Sequence, residues 1–393
     1  LTIMVVADTK IGNSDFTIGY VLEKLNLSGI ECSLENLDSF EAQDITGGAA
    51  FFSEIYSVKF HWKSRFELQN IPKLVGIEHL KKANNDPDFI KNVEEKFSIH
   101  LERAHKLEEA VYTYYANISE DLKLPKFYYS SPYTRDSNTG IIIMEDLTHR
   151  ASTVKLIPGF ENEKMENLFD ELAKLHSVSL QNRSWTAQFD ELPPTDLFMN
   201  EMIDVINKLK EIDDDKFGEL VPRLIKYCNS ETLEKGFYVG SKFGFPSFLT
   251  HGDLWSSNIL WKTDNEKNPT SELAAIIDWQ MATQGNPGVD LSRSLAMNTS
   301  AKFRRQNTDR LLQYYLDCLH KHLNSPPPMT FDQLKIAYNY SLGFCAIFMG
   351  YGTTSYYSMK SIVGDPPDEE IRKELLDRCQ AIFEDMLAFY ENL

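Results

Sequence analysis

Residues 248 to 261, FLTHGDLWSSNILW, form an apolar run that is interrupted by a His, an Asp, two Ser and an Asn before turning apolar again. A chain that breaks a hydrophobic segment this way has two options. It can turn between two strands, with Gly252 at a positive φ, or it can build a loop that handles charge. Five residues after Asp253 stands Asn258, and 25 residues after it Asp278 closes a second apolar run, Ala274-Ala-Ile-Ile277. Any fold for this chain has to place that pair of motifs.

Phosphoryl transfer needs these residue types in this order. In the kinase template an Asp accepts the proton of the attacking hydroxyl, an Asn five residues later binds a metal ion, and a second Asp after an apolar strand binds the same metal. The phosphates of ATP carry several negative charges, and hard oxygen ligands suit the Mg²⁺ that neutralises them. A carboxylate serves as the base without high basicity because the catalysis is mainly positioning. Each motif alone is ordinary: HGD is a turn sequence, and an Asp ends many strands of α/β proteins. Together they point to phosphoryl transfer.

The rest of the chain sets the context. Its 393 residues suggest two lobes. A net charge of −18, from 40 basic and 58 acidic residues, makes it a poor candidate for wrapping nucleic acid or an anionic membrane. The five Cys (32, 228, 318, 345 and 379) have no metal-knuckle or redox spacing and read as buried thiols of a reducing, cytoplasmic compartment. No secretory leader is expected in LTIMVVADTK, and Leu at position 1 is expected to follow a few residues of a longer chain. The uncharged stretch 339 to 359 is long enough to span a membrane, but its three Gly and many hydroxyls favour a buried helix.

Residues 17 to 29 read as helical, and residues 53 to 62 alternate at strand period. IPKLVGIEHL follows as a second strand. A long helix opens at Asp86-Pro87, with Asp as the N-cap. KFYYSSPY and TGIIIMEDL give two more strands. After residue 150 the pattern is mostly helical; residues 161 to 180 are amphipathic, with apolar positions 165, 168, 169, 172, 173 and 175. The expected fold is α+β and two-lobed. An antiparallel N-terminal sheet with one long helix spans 1–147, and a larger helical lobe spans 148–393.

HGDLWSSNILW, IIDWQ and GNPGVDLSRSL resemble the ecdysteroid-kinase-like (CHK kinase-like) group of the aminoglycoside phosphotransferase and choline kinase superfamily, which has a protein-kinase-like fold. The resemblance covers roughly residues 40 to 355. It implies Asp253 as catalytic base, with His251 bracing the loop or joining proton transfer, and Asn258 and Asp278 as Mg²⁺ ligands. It makes Met144, Glu145, Asp146 and Leu147 the hinge whose backbone meets the adenine of ATP. It matches Glu108 to a helix Glu that pairs with a nucleotide-binding Lys, and Asp290 to a residue that ties the catalytic loop to a helix start. A plain helix N-cap is the other reading of Asp290.

Two positions depart from the family pattern. The phosphate loop TGGAAFFS leaves only Gly48 in register, with Gly47 as a shifted alternative. Where the family's third strand carries its phosphate-binding Lys, this chain has Glu78. Lys59, on the preceding strand, is the first candidate to supply the cation, with Lys81 and Lys82 behind it. The expected activity is ATP- and Mg²⁺-dependent phosphorylation of a small-molecule hydroxyl. The alternative is a pseudokinase, a binding or scaffold protein with a degraded nucleotide site.

Overall fold

The structure, a computed structural model, describes residues 6–46, 53–63, 74–80, 87–119, 121–134, 139–189 and 199–393, with backbone alone for 74–80 and 87–98. The chain divides into two compact units, Leu1–Ser152 and Thr153–Leu393.

The first unit runs α1 (Ile18–Leu27), β1 (Leu37–Asp44), β2 (Ser53–Trp62), β3 (Leu74–Leu80), α2 (Pro87–Ala116), β4 (Phe127–Ser131), β5 (Gly140–Glu145) and β6 (Ala151–Ser152). Its first five strands make an antiparallel sheet in the order β1-β2-β3-β5-β4. The alternation of β2 settles which face is covered. Tyr56, Val58, Phe60 and Trp62 are buried, whereas Ser57, Lys59 and His61 between them are not. The buried set joins Ile141 and Ile143 of β5 against Ile18, Val21, Leu22 and Leu25 of α1. Those four helix positions fall at i, i+3, i+4 and i+7, one stripe of an α-helix. Thr17 caps α1 by accepting the Tyr20 N–H. Ten residues are too few for a stable isolated helix; burying each aliphatic side chain contributes about 2 kcal/mol, and that packing holds α1 in place.

β1 has no counterpart in the expected elements. LDSFEAQD is half polar; among the described residues it is an edge strand that pairs with β2 alone, and it buries little beyond Leu37. The N-cap expected at Asp86 lies outside the described residues.

The second unit is mostly helical. α3 (Asn162–Gln181) buries all six of the apolar positions expected of it. Five short helices follow: α4 (Met199–Asn207), α5 (Leu209–Ile212), α6 (Asp214–Phe217), α7 (Leu220–Ile225) and α8 (Ser230–Tyr238). Next come β7 (Phe248–Thr250), the antiparallel pair β8 (Ile259–Thr263) and β9 (Pro269–Ile276), and β10 (Thr283–Gly285), which pairs with β7. The unit ends with α9 (Gly288–Asn298), α10 (Ala301–Leu323), α11 (Phe331–Tyr356), α12 (Lys360–Val363) and α13 (Glu369–Tyr390).

The uncharged stretch lies mainly in α11, which starts with a capping box between Thr330 and Gln333 and packs on α8, α9 and α13. Among the described residues no helix is long and apolar enough to cross a membrane. All five Cys are free thiols and buried.

Candidate active site

The loop after β7 is fixed through its backbone. Gly252 has φ +83°, and a Cβ there would sit 2.8 Å from the Met281 carbonyl oxygen, so the position needs glycine. The buried Asp290 carboxylate, from the first turn of α9, accepts the His251 N–H at 2.9 Å and the Gly252 N–H at 2.8 Å. Both amides would otherwise be orphaned inside the protein. Asp290 also pairs with His176 of α3 at 3.3 Å, and the other ring nitrogen of His176 meets the Tyr315 hydroxyl of α10 at 2.8 Å. The loop is therefore tied to α3, α9 and α10.

His251 is fully committed. Its Nε2–H donates to the Ile277 carbonyl at 2.9 Å, and its Nδ1 accepts the Asp253 N–H at 3.2 Å. Burial lowers its pKa, against a raising influence from Asp290, so the ring is neutral with the proton on Nε2. The Trp279 ring lies 4.5 Å from it, centroid to centroid.

Asn258 and Asp278 come together through the strands that carry them. Asn258 opens into β8, whose Ile259 pairs with Ile276 of β9, and the Ile277 N–H donates to the Asn258 carbonyl at 3.0 Å. The Asn258 side chain is buried and donates its Nδ2–H to the Asp253 carbonyl at 3.0 Å, which presents Oδ1 as the amide's remaining acceptor. Asp278 has φ +65°, a left-handed conformation unusual for a residue other than glycine, held at the junction from β9 to the next turn. Its Oδ2 accepts from Gln280 at 3.4 Å.

Arg293 of α9 stands beside Asp253 and was not among the residues expected here. Its Nη2 and Nε donate to Asp253 Oδ1 at 2.9 and 3.3 Å. Burial works to lower the Arg293 pKa, but the Asp253 carboxylate reverses this and leaves the pKa raised. Every residue of α9 is buried, and a guanidinium in such a helix demands a partner. Helix burial, however, is not legible from one short segment. Next to the loop, Trp255 stacks on Tyr356 at 5.3 Å and 12° between planes.

The residues expected in the first unit occupy defined places of their own. Lys59 is half exposed, and its Nζ lies 4.0 Å from Glu41 across the β1–β2 pair. Glu108 is buried in α2. Met144 and Glu145 end β5, where the Glu145 N–H donates to the Lys126 carbonyl at 2.8 Å and its carboxylate pairs with Arg150 at 2.6 Å. Asp146 is buried, accepting the Thr148 N–H at 2.7 Å and the Ser57 hydroxyl. The Leu147 carbonyl is taken up by the N–H groups of Arg150 and Ala151 at 3.0 and 2.8 Å. Glu78 pairs in register with Ile55 on one side and Ile142 on the other. Gly47, Gly48, Lys81 and Lys82 lie outside the described residues.

The family model described as "Uncharacterized oxidoreductase dhs-27" matches residues 35–393. The chain belongs to this family, DUF1679. An "Uncharacterized kinase-like protein" of Caenorhabditis elegans is 26% identical over 359 residues, covering 86% of this chain and 90% of that one. The Caenorhabditis elegans protein named "Uncharacterized oxidoreductase dhs-27" is 24% identical over 393 residues. That match covers 93% of this chain but only 44% of the longer relative. Among solved structures, choline kinase from Cryptosporidium parvum Iowa II superposes with a TM-score of 0.53 at 13% identity, over 94% of this chain and 95% of that one. The family member described here thus has the kinase-like α+β fold that its sequence leads one to expect.

Proposed function

We propose that this chain is an ATP- and Mg²⁺-dependent phosphotransferase of the ecdysteroid-kinase-like group that acts on a hydroxyl of a small molecule. The observation that carries this reading is the convergence of the two motifs: Asp253, Asn258 and Asp278 are joined by the Asn258–Asp253 and Ile277–Asn258 hydrogen bonds. The kinase-like name of one relative and the choline kinase likeness point the same way.

The donor set suits Mg²⁺. One carboxylate, Asp278, and one amide oxygen, Asn258 Oδ1, are hard ligands, and Mg²⁺ takes few protein ligands alongside phosphate oxygens and water. Among the described residues there is no group of three or more His, Cys, Asp or Glu that could hold a metal. A cation that arrives with a nucleotide needs no such cage. When bound, Mg²⁺ offsets the negative charge of the phosphate oxygens.

Asp253 has its Oδ1 held by Arg293, and among the described residues Oδ2 has no protein partner. Oδ2 orients the acceptor hydroxyl and takes its proton as the hydroxyl attacks. His251, with both nitrogens bonded, holds the loop rather than moving a proton. The backbone around Met144 to Leu147 meets the adenine with whatever groups the hinge turn leaves over. Cytoplasmic location agrees with five buried free thiols.

The second reading, a pseudokinase that binds without turnover, is favoured by Glu78 at the strand position where the resemblance calls for Lys. ATP consumption, measured with water as acceptor and then across a panel of small alcohols, separates the two. Asp253→Asn keeps the shape and removes the carboxylate. It should lower turnover by about 10²-fold or more with nucleotide affinity unchanged. Loss of binding without a selective loss of turnover would leave Asp253 a structural part only, and a wild type that binds Mg·ATP without turnover would favour the pseudokinase.

A further inference from the structure

We propose that Arg293 is a positioning residue for the transfer step: it clamps Asp253 Oδ1 so that Oδ2 alone is presented to the acceptor. This rests on the reading of Asp253 as the base.

The loop's other restraints act on backbone. Asp290 holds the amides of His251 and Gly252, His251 holds the Asp253 N–H, and Asn258 holds the Asp253 carbonyl. Among the described residues only Arg293 hydrogen-bonds to the Asp253 carboxylate. Without it the backbone would be placed and χ1 and χ2 would not.

The burial pattern says which partner is being held. The Arg293 side chain is 4% exposed and that of Asp253 18%. A buried guanidinium costs several kcal/mol of desolvation, and an ion pair of this kind is often no more stable than an apolar pair of equal size. Among the described residues the Arg293 Nη1 is also buried without a hydrogen-bond partner, a further cost. A core residue retained for stability alone would be better served by an apolar side chain. Among the described residues, the Asp253 carboxylate, the Cys345 thiol and the Tyr356 hydroxyl, the latter two from α11, act electrostatically on the guanidinium. Only Asp253 is a carboxylate, and it receives two of the fork's N–H groups. Both donors converge on the one oxygen, Oδ1, and the rigid guanidinium plane pins that oxygen more closely than a freely rotating lysine ammonium would.

The fold therefore accepts an unsatisfied nitrogen on the inner side of Arg293 to hold a part-exposed oxygen still on the outer side. Misplacing a reacting group by about 1 Å costs on the order of 10²-fold in rate, so the clamp's effect belongs in kcat and not in nucleotide binding.

The test uses Mg·ATP hydrolysis with water as acceptor, Mg·ATP calorimetry and thermal melting. The proteins are wild type, Arg293→Met, Arg293→Lys, Asp253→Asn and the Asp253→Asn/Arg293→Met double variant. Arg293→Met should lose about 10- to 100-fold in kcat, with Mg·ATP affinity within about twofold of wild type. Arg293→Lys should regain part of that loss. The double variant should be no slower than Asp253→Asn, because a residue that acts through Asp253 has nothing left to position. Independent losses that multiply in the double variant would overturn the inference, as would a loss confined to affinity. If Arg293→Met does not fold, Arg293→Lys decides: full activity in it shows that charge alone is needed and that the clamp is wrong. A wild type that turns over no Mg·ATP, whether or not it binds it, would instead overturn the phosphotransferase reading, and the clamp with it.

Discussion

The segment from His251 to Arg293 and the sheet around β2 and β3 carry the two halves of the expected chemistry, and they are built differently. In that segment side chains tie separate pieces of chain together: Asp290 caps two amides, His251 spans two segments and Asn258 ties Asp253 to β8. In the sheet, Lys59 stands half exposed with one ion-pair partner at 4.0 Å, and Glu78 is located by strand register. A position held by many bonds admits few residue types, so its chemistry shows in the sequence. A position held by register alone admits many, and the strand cation is not fixed by the strand.

The greatest effect expected from breaking this contrast comes from the most connected residue. Asp290→Ala removes the acceptor of two buried N–H groups and the partner of His176. It should cost roughly 3–5 kcal/mol, read as a fall in the urea midpoint of the second unit, and should abolish ATP turnover.

A titration sharpens the comparison from the sheet side. His105 of α2 donates Nε2–H to the Ser131 carbonyl at 2.9 Å, and burial holds its pKa down to about 4. The unfolded chain takes up that proton below about pH 6.5, whereas the folded chain does not until about pH 4. Stability is thus intact above pH 6.5 and is lost as the pH falls toward 4, by on the order of 3 kcal/mol. Denaturant midpoints measured across this range should fall, and His105→Gln should flatten the slope. An equal slope in the variant would assign the loss to other groups.

Gly252→Ala tests the loop's backbone alone. The strain at φ +83° and the clash with Met281 should cost about 1–3 kcal/mol and lower kcat more than affinity. The smallest effect belongs to Lys59→Ala. With Nζ half exposed beside Glu41, it should change stability by under about 0.5 kcal/mol and Mg·ATP affinity by under about twofold. A tenfold weaker affinity would restore Lys59 as the strand-side cation.

Legibility followed local spacing. The β2 alternation and the stripe of α3 are periodic patterns that burial enforces directly, and both stand where the sequence puts them. HGD, the Asn five residues on, and the Asp after AAII are short-range signals of one loop and one hairpin. β1 was hidden because an edge strand buries too little to need a pattern. Arg293 was hidden because its partner lies 40 residues away, and its meaning depends on α9 being buried on every side. The Tyr315–His176–Asp290 chain likewise joins three helices, α10, α3 and α9, whose packing no single segment announces.

The most direct measurement of the central claim is calorimetric titration of Mg·ATP into wild type and Asp278→Ala, with melting temperatures taken alone and with ligand. Asp278 supplies the only carboxylate proposed to reach the metal. The account predicts that wild type binds Mg·ATP and melts higher with it by mass action. Asp278→Ala should lose a little unliganded stability, because Ala suits φ +65° less well than Asp does, and should bind at least about tenfold more weakly, a loss of about 1.4 kcal/mol or more. Equal binding by the two proteins, or no binding by wild type, would contradict it.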